Sequence, residues 1–296
     1  VGIEAPPPAM NLDIKPYAIS NLTTDRTASP PLFNAADADF GLDVKFGVTD
    51  SLVADVTYNT DFAQVEADEQ QINLTRFSLF FPEKREFFLE NQGTFAFGGS
   101  GAGPFGGGGE TPVLFYSRRI GLSGSREVPI QAGGRLTGRV GAFTLGVLNI
   151  RSDDEPVVSG ALATNFTVAR LKRDVLRRSA VGLLVTNRSV AENGVGSSQT
   201  YGVDGTFAFF SNLSIDTYWA RTRTNGVAGD DVSYRGQLDY NGDRYGVKAE
   251  RLVVGRDFRP EVGFLRRYDF DRRFGLLRFS PRPVRIDIVR KFTFEG

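Results

Sequence analysis

The sequence predicts an antiparallel, all-β fold, and three observations carry the prediction. Apolar and polar residues alternate with a period of two in one segment after another, the mark of strands with one apolar and one polar face. Many of these segments run to about ten residues, near double the usual strand of about 5–6 and close to the roughly 9–11 that cross a tilted bilayer. Their polar sides carry both signs of charge at mid-strand, as in Asp43/Lys45, Arg235/Asp239 and Lys248/Glu250. A soluble sandwich shows the same alternation with its apolar side chains turned inward. A transmembrane barrel inverts it, with apolar side chains meeting lipid and charges lining a wet lumen. Strand length, mid-strand charge, and Tyr58, Tyr201, Tyr234, Tyr240 and Tyr245 near strand ends, where an interfacial girdle stands, favour the barrel.

In chain order, a first strand is expected near 11–20. Phe40, Leu42, Val44, Phe46 and Val48 then point one way, with Gly41, Asp43, Lys45 and Gly47 pointing the other. After the turn Thr49-Asp50 the pattern repeats, with Leu52, Ala54, Val56 and Tyr58 opposite Val53, Asp55, Thr57 and Asn59. Phe143, Leu145 and Val147 alternate with Thr144 and Gly146. Tyr201, Val203, Phe207 and Phe209 alternate with Gly202, Asp204, Thr206 and Ala208. Beyond the Ser211-Asn212 turn, Leu213, Ile215, Thr217 and Trp219 face away from Ser214, Asp216 and Tyr218. Val232, Tyr234, Leu238 and Tyr240 likewise oppose Ser233, Arg235, Gln237, Asp239 and Asn241, and Asn241-Gly242-Asp243 is a strong hairpin signal. Tyr245, Val247 and Ala249 follow, opposite Lys248 and Glu250. Further strands are expected near 112–120, 128–139, 161–173, 178–189, 262–280 and 284–294, which makes roughly a dozen in one domain over 1–296.

Residues 61–110 break the alternation. Pro82 suits a first helical position, and the acidic residues after it complement the macrodipole, so a short helix is expected over 82–90. A glycine-rich loop follows at 98–109. It lacks the Gly-Lys-Ser/Thr ending of a phosphate-binding loop and reads as a flexible connection. The whole 61–110 segment is too long and too patterned for an ordinary hairpin loop, and is expected to fold into the lumen or cap it.

Composition removes several functions. The chain has 296 residues, with 35 Lys plus Arg against 35 Asp plus Glu, so it offers no basic field for nucleic acid. It has neither histidine nor cysteine, which excludes Ser-His-Asp and Cys-His mechanisms, disulfides, thiolate nucleophiles and His- or Cys-based zinc sites. Any metal would have to be a hard ion held by carboxylates and carbonyls. No apolar run approaches the roughly 18 residues of a transmembrane helix. The chain starts at Val1 without a signal peptide and stops in strand-like sequence, and reads as a piece of a longer precursor.

The run from Thr60 to Glu90, TDFAQVEADEQQINLTRFSLFFPEKREFFLE, resembles the hallmark of a bacterial outer-membrane β-barrel domain family of unknown function. Leu12-Asp13-Ile14-Lys15-Pro16-Tyr17, Asp43 to Thr49, Leu114 to Gly121 and Pro260 to Phe264 also fit its pattern. The resemblance implies a barrel in the bacterial outer membrane, larger than this chain and preceded by a periplasmic module similar to family 9 carbohydrate-binding domains. It implies no catalytic residues, since the family has none established.

Carboxylates are the main acid–base groups left. Glu83, Glu86 and Glu90 share one face if 82–90 is helical. They read either as a site for calcium or a cationic substrate, or as a solvated face paired with Lys84 and Arg85. Glu66, Asp68 and Glu69 can hold a hard cation in principle, but they lack the EF-hand spacing and also read as a loop. Glu83, Lys84, Arg85, Glu86, Glu90, Glu66 and Asp68 are therefore candidate lumen or gate residues. Asp43, Lys45, Asp55, Arg235, Asp239, Lys248 and Glu250 are candidate lumen-lining charges. Arg118-Arg119, Arg266-Arg267, Arg272-Arg273 and Arg139/Arg151 either filter anions, meet lipopolysaccharide phosphates at the outer rim, or form a cross-strand ladder of salt bridges. No cofactor, metal ligand or catalytic residue is assigned. The expected functions are a transport or export conduit, or else a non-conducting anchor displaying the carbohydrate-binding-like module. A carboxylate-based glycoside hydrolase is a weaker third reading. The expected partners are the lipid bilayer, lipopolysaccharide and, through the missing module, carbohydrate.

Overall fold

A computed structural model describes residues 11–25, 32–59, 79–99, 109–123, 126–154, 161–283 and 290–296. They form β1 (Leu12–Asp25), β2 (Leu32–Thr49), β3 (Leu52–Tyr58), the one-turn helix α1 (Glu86–Leu89), and the short strands β4 (Leu122–Ser123) and β5 (Arg126–Glu127). Then come β6 (Ile130–Val140), β7 (Phe143–Ser152), β8 (Thr164–Leu176), β9 (Ser179–Arg188), β10 (Ser198–Phe209), β11 (Leu213–Thr224), β12 (Val232–Asn241), β13 (Tyr245–Val254), β14 (Phe270–Phe279) and β15 (Phe294–Glu295). Thirteen strands make one sheet in the order β1-β2-β3-β6 and then straight on to β15, while β4 and β5 pair separately. Every neighbouring pair is antiparallel, as in an up-and-down meander. The sheet is not closed: β1 and β15 are its edges.

Register puts every alternation on a consistent face. Across the middle of the sheet Asp204 stands opposite Tyr218, Arg235 opposite Leu252, and Asp55 opposite Arg135. The other face carries Val203 opposite Trp219, Leu238 opposite Ala249, and Leu42 opposite Tyr58. This second face is open, and its apolar side chains are exposed: Leu42, Phe46, Val56, Leu171, Leu183, Val203, Trp219, Leu238 and Val247 among them. The first face is covered, and it buries polar side chains, including Asp55, Thr57, Arg135, Arg170, Thr200, Arg235 and Gln237. The polarity is thus inverted relative to a water-soluble sheet.

The two ends of the meander differ. At one end the strands are joined by residues 50–51, 141–142, 177–178, 210–212 and 242–244, and β14 to β15 by the longer 280–293. Gly141 supplies the positive φ of one such turn, at 60°. At the other end lie the long connections from β3 to β6 and from β13 to β14 (255–269). The covering material comes from these, so the buried apolar side chains of the covered face, such as Ile150, Val168, Leu184, Ala220, Leu252 and Val254, cluster toward the long-loop end. Near the short-turn end Lys172, Asp239 and Lys248 are only half-buried.

Three expectations need correction. The helix expected over 82–90 is a single turn, Glu86–Leu89, with Arg85 and Glu90 extended on either side. Glu83 supplies the reason: its carboxylate accepts the backbone N–H groups of Lys84 and Arg85, each at 3.0 Å, and so competes with helical hydrogen bonding. Residues 112–120 form no ladder strand; Val113 makes an isolated bridge to Phe264, and Ser117–Arg119 is a 3-10 turn. Their apolar run is continuous because it is buried on all sides as a cover, and periodicity cannot separate that from a strand. The strand expected from 262 begins only at Phe270, because Val262 to Phe264 belong to the same cover. Residues 60–78, 100–108 and 284–289 lie outside the described residues, and with them Glu66, Asp68, Glu69, most of the glycine-rich loop and the first part of the strand expected near 284–294. Of the described residues in that last stretch, 290–293 are not strand, and β15 starts at Phe294.

Candidate functional site

The site is the seam between the covered face and the segment that covers it, residues 79–99 and 109–123. Its driving force is apolar. Phe87, Phe88, Phe95, Phe97, Leu114, Phe115 and Ile120 pack with Leu148, Ile150, Phe166, Leu184, Leu252, Phe258 and Val262 into one buried cluster. Each fully buried side chain of this kind contributes about 1.5–3 kcal/mol. Gly146 makes room for the segment: a Cβ there would lie 2.9 Å from the Thr94 methyl and 3.0 Å from the Phe95 ring. A second cluster, Phe80 stacked on Tyr116 with Phe264 edge-on, ties the segment to the β13–β14 connection.

Arginines fix the segment in place. Arg85 and Glu83 form a buried ion pair within the cover, Nη2 to Oε2 at 2.7 Å and Nε to Oε1 at 2.9 Å. Arg85 also donates to the carbonyls of Ile120 and Ser117 and lies 4.1 Å over the Phe88 ring, while the Ser117 hydroxyl donates to Glu83. Burial alone pushes the Glu83 carboxyl up, but the Arg85 guanidinium and these hydrogen bonds more than offset it and hold it below the usual 4.5.

Arg135, from β6, binds Asp55 of β3 at 2.8 Å and donates to the carbonyls of Phe87 and Glu90. It thereby satisfies acceptors left over at the C-terminal end of α1. Lys45 pairs with Glu90, and Lys15 with Glu86 at 2.9 Å. Further along, Arg170 holds Asp204 by two bonds of 2.6 and 2.8 Å, and Asp204 accepts the Gly98 N–H at 3.1 Å. Arg235 pairs with Glu250 at 3.0 Å and reaches the Gly98 carbonyl at 3.4 Å. Glu250 also pairs with Arg272, which bonds Glu110 at 3.0 Å. Each of these arginines is 2–6% exposed except Arg272, so their charges are desolvated and depend on these partners.

Between α1 and β1–β3 lies a cavity of about 360 Å3. Asp13, Asp43, Asp55, Glu86 and Glu90 line it against Lys15, Lys45 and Arg135, an excess of two carboxylates over cations. Asp43 accepts the Thr57 hydroxyl at 2.5 Å. Burial pushes the Glu90 carboxyl up, but Lys45 and then Arg135 draw it below its ordinary value.

The expected residues therefore separate into groups. Lys45, Asp43, Asp55, Glu86 and Glu90 meet around the cavity; Glu83 and Arg85 are a buried internal strut; Lys84 is half-buried beside them. The reading of Glu83, Glu86 and Glu90 as one solvated helix face is corrected, since Glu83 precedes the helix and is buried. Arg235 and Glu250 lie under the far side of the cover, and Asp239 and Lys248 beyond it toward the short turns. Sequence reasoning missed Arg135, Arg170, Asp204 and Glu110. For the first three the signal was present, since each falls on the polar parity of its strand. Among the described residues no cluster of three or more acidic side chains is close enough to hold a metal ion.

Comparison with known proteins adds one finding. A family described as "Domain of unknown function (DUF5916)" matches residues 8–137, which run from β1 into β6 and include the covering segment. No curated protein matches the chain.

Proposed function

We propose that this chain forms most of the wall of a bacterial outer-membrane β-barrel, a conduit whose long-loop end is closed by residues 79–99 and 109–123. The carrying observation is the inverted polarity of the sheet: exposed apolar side chains on one face, buried charge pairs on the other. A strand of ten residues is about 33 Å long, which a tilt of about 40° turns into about 25 Å of height, the apolar band of such barrels. The open face fits that band. Its charges stand near strand ends, Arg151, Arg221, Arg223, Arg251, Asp271 and Arg273 toward the long loops and Arg173 toward the short turns, with mostly apolar residues between. In lipid an open edge is untenable, so the reading requires β1 and the β15 side to be joined through further strands.

Short turns face the periplasm and longer loops the exterior in such barrels. That orientation sets the beginning of β1, opposite the end of β2, on the periplasmic side, where the resemblance expects a carbohydrate-binding-like module. It sets the arginine belt at the outer rim, where lipopolysaccharide phosphates are available. The cover then closes the exterior end, and the vestibule of half-buried charges around Asp239 and Lys248 opens to the periplasm. A non-conducting anchor is the second reading, favoured by the apolar cluster beneath the cover. Neither reading calls for catalysis or a cofactor.

Swelling of liposomes carrying the full chain, in sugars of graded size, tests the proposal. The conduit reading expects little swelling from the intact chain and size-dependent swelling once residues 82–90 are deleted. Folded, inserted protein that remains tight after the deletion would overturn the gate and leave the anchor.

A further inference from the structure

The open face is not uniformly flat. Arg173, Val181, Gly205 and Thr217 stand in one register row across β8, β9, β10 and β11. Leu183 and Trp219 stand on one side of this row and Phe207 on the other, its ring lying over Gly205, and together they line an apolar groove of about 610 Å3. Arg173 stands at the β8 side of this groove, its guanidinium 5.3 Å over the Phe143 ring.

The charge around Arg173 is one-sided. Arg173, Arg177 and Arg178 are exposed, and among the described residues none of them has a carboxylate partner. The nearby acid Asp174 is taken by Arg139 at 2.7 Å. An apolar trough ending at an uncompensated guanidinium is complementary to an anionic amphiphile, and in a bilayer the abundant one is a phospholipid, an acyl chain carrying a phosphate.

We propose that this groove seats one acyl chain of an anionic phospholipid of the periplasmic leaflet, with its phosphate held by Arg173. The proposal rests on the bilayer reading above and adds to it a selective lipid site. Trp219, the chain's one tryptophan, lines the groove and reports its occupancy.

The test is quenching of Trp219 emission by lipids brominated in mid-chain, with the full chain in phosphatidylcholine vesicles. Trp219→Phe defines the signal. One cation beside an anionic lipid headgroup is worth about a fivefold preference, so brominated phosphatidylglycerol should quench at about one-fifth the mole fraction needed for brominated phosphatidylcholine. Arg173→Gln, a substitution on an exposed side chain, should remove the preference while leaving the quenching by phosphatidylcholine. Equal quenching by both lipids in the unaltered chain would overturn the site and leave the membrane reading standing. Absence of quenching in protein that floats with the vesicles would overturn it too, and give this face to a second copy of the chain. Absence of both quenching and flotation would overturn the membrane reading itself.

Discussion

Arg135 carries the sharpest energetic consequence of the structure. Its side chain is 2% exposed and connects Asp55 on β3 to the last carbonyls of α1. In Arg135→Met the apolar stem is kept and the charge is lost. Glu90 retains Lys45, but Asp55 is left as a buried carboxylate without its cation. Breaking a buried pair from one side costs about 3–5 kcal/mol. Asp55→Asn in the same background removes the stranded charge, so the two changes together should cost less than their sum, with a coupling of about 2 kcal/mol. Hydrogen exchange at the Leu89 and Glu90 amides, which bond to Arg85 and Glu86 carbonyls, reads the opening of α1 locally. Urea unfolding reads the global effect. A coupling below about 0.5 kcal/mol would refute the dependence of Asp55 on Arg135, and unchanged exchange at Leu89 and Glu90 in Arg135→Met would refute the claim that this arginine fastens the segment to the sheet.

Other outcomes follow from the same contacts. Glu83 has a lowered folded value, so its stabilising contribution is complete above the unfolded value of 4.5 and is lost as pH falls through the folded one. Glu83→Gln should weaken the cover at neutral pH and flatten its acid-induced release, followed by limited proteolysis from pH 7 to 3. An unchanged acid limb would show that another group controls it. Gly146→Val drives a side chain into Thr94 and Phe95, and overpacking of this kind should cost about 1–3 kcal/mol in thermal unfolding. Stability equal to the parent would mean that the 92–95 turn is not seated there. Phe97→Ala empties a buried position beside Tyr218 and under Arg170, with an expected loss of about 3–5 kcal/mol, while Phe279→Ala on the open face should cost far less in detergent.

How much of this was legible in sequence depends on whether the information is local. Strand alternation is local, so the two faces of β2, β3 and β10 to β13, and the turn after Asn241, follow directly from residue parity. The cover is not local. Its apolar residues read as strands at 112–120 and 262–269 because they meet partners far away in the chain, such as Val113 and Phe264. The shortness of α1 reflects one side chain, Glu83, whose competing hydrogen bonds no helical periodicity reveals. Arg135 and Arg170 lie on the parity that made Asp43 and Lys45 candidates. What singles them out is the Phe87 carbonyl or Asp204 carboxylate above them, which only the folded chain supplies.

The central claim is that the open face meets lipid and the covered face meets a wet lumen. A chain without cysteine allows single spin-labelled cysteines to test this in membranes, at Leu238, Tyr240 and Val247 on one face and Asp239 and Lys248 on the other. The account predicts a strict alternation: oxygen, concentrated in the bilayer, relaxes the first set, and a water-soluble nickel chelate relaxes the second. Equal access of the nickel chelate to both sets in vesicle-bound protein would contradict it.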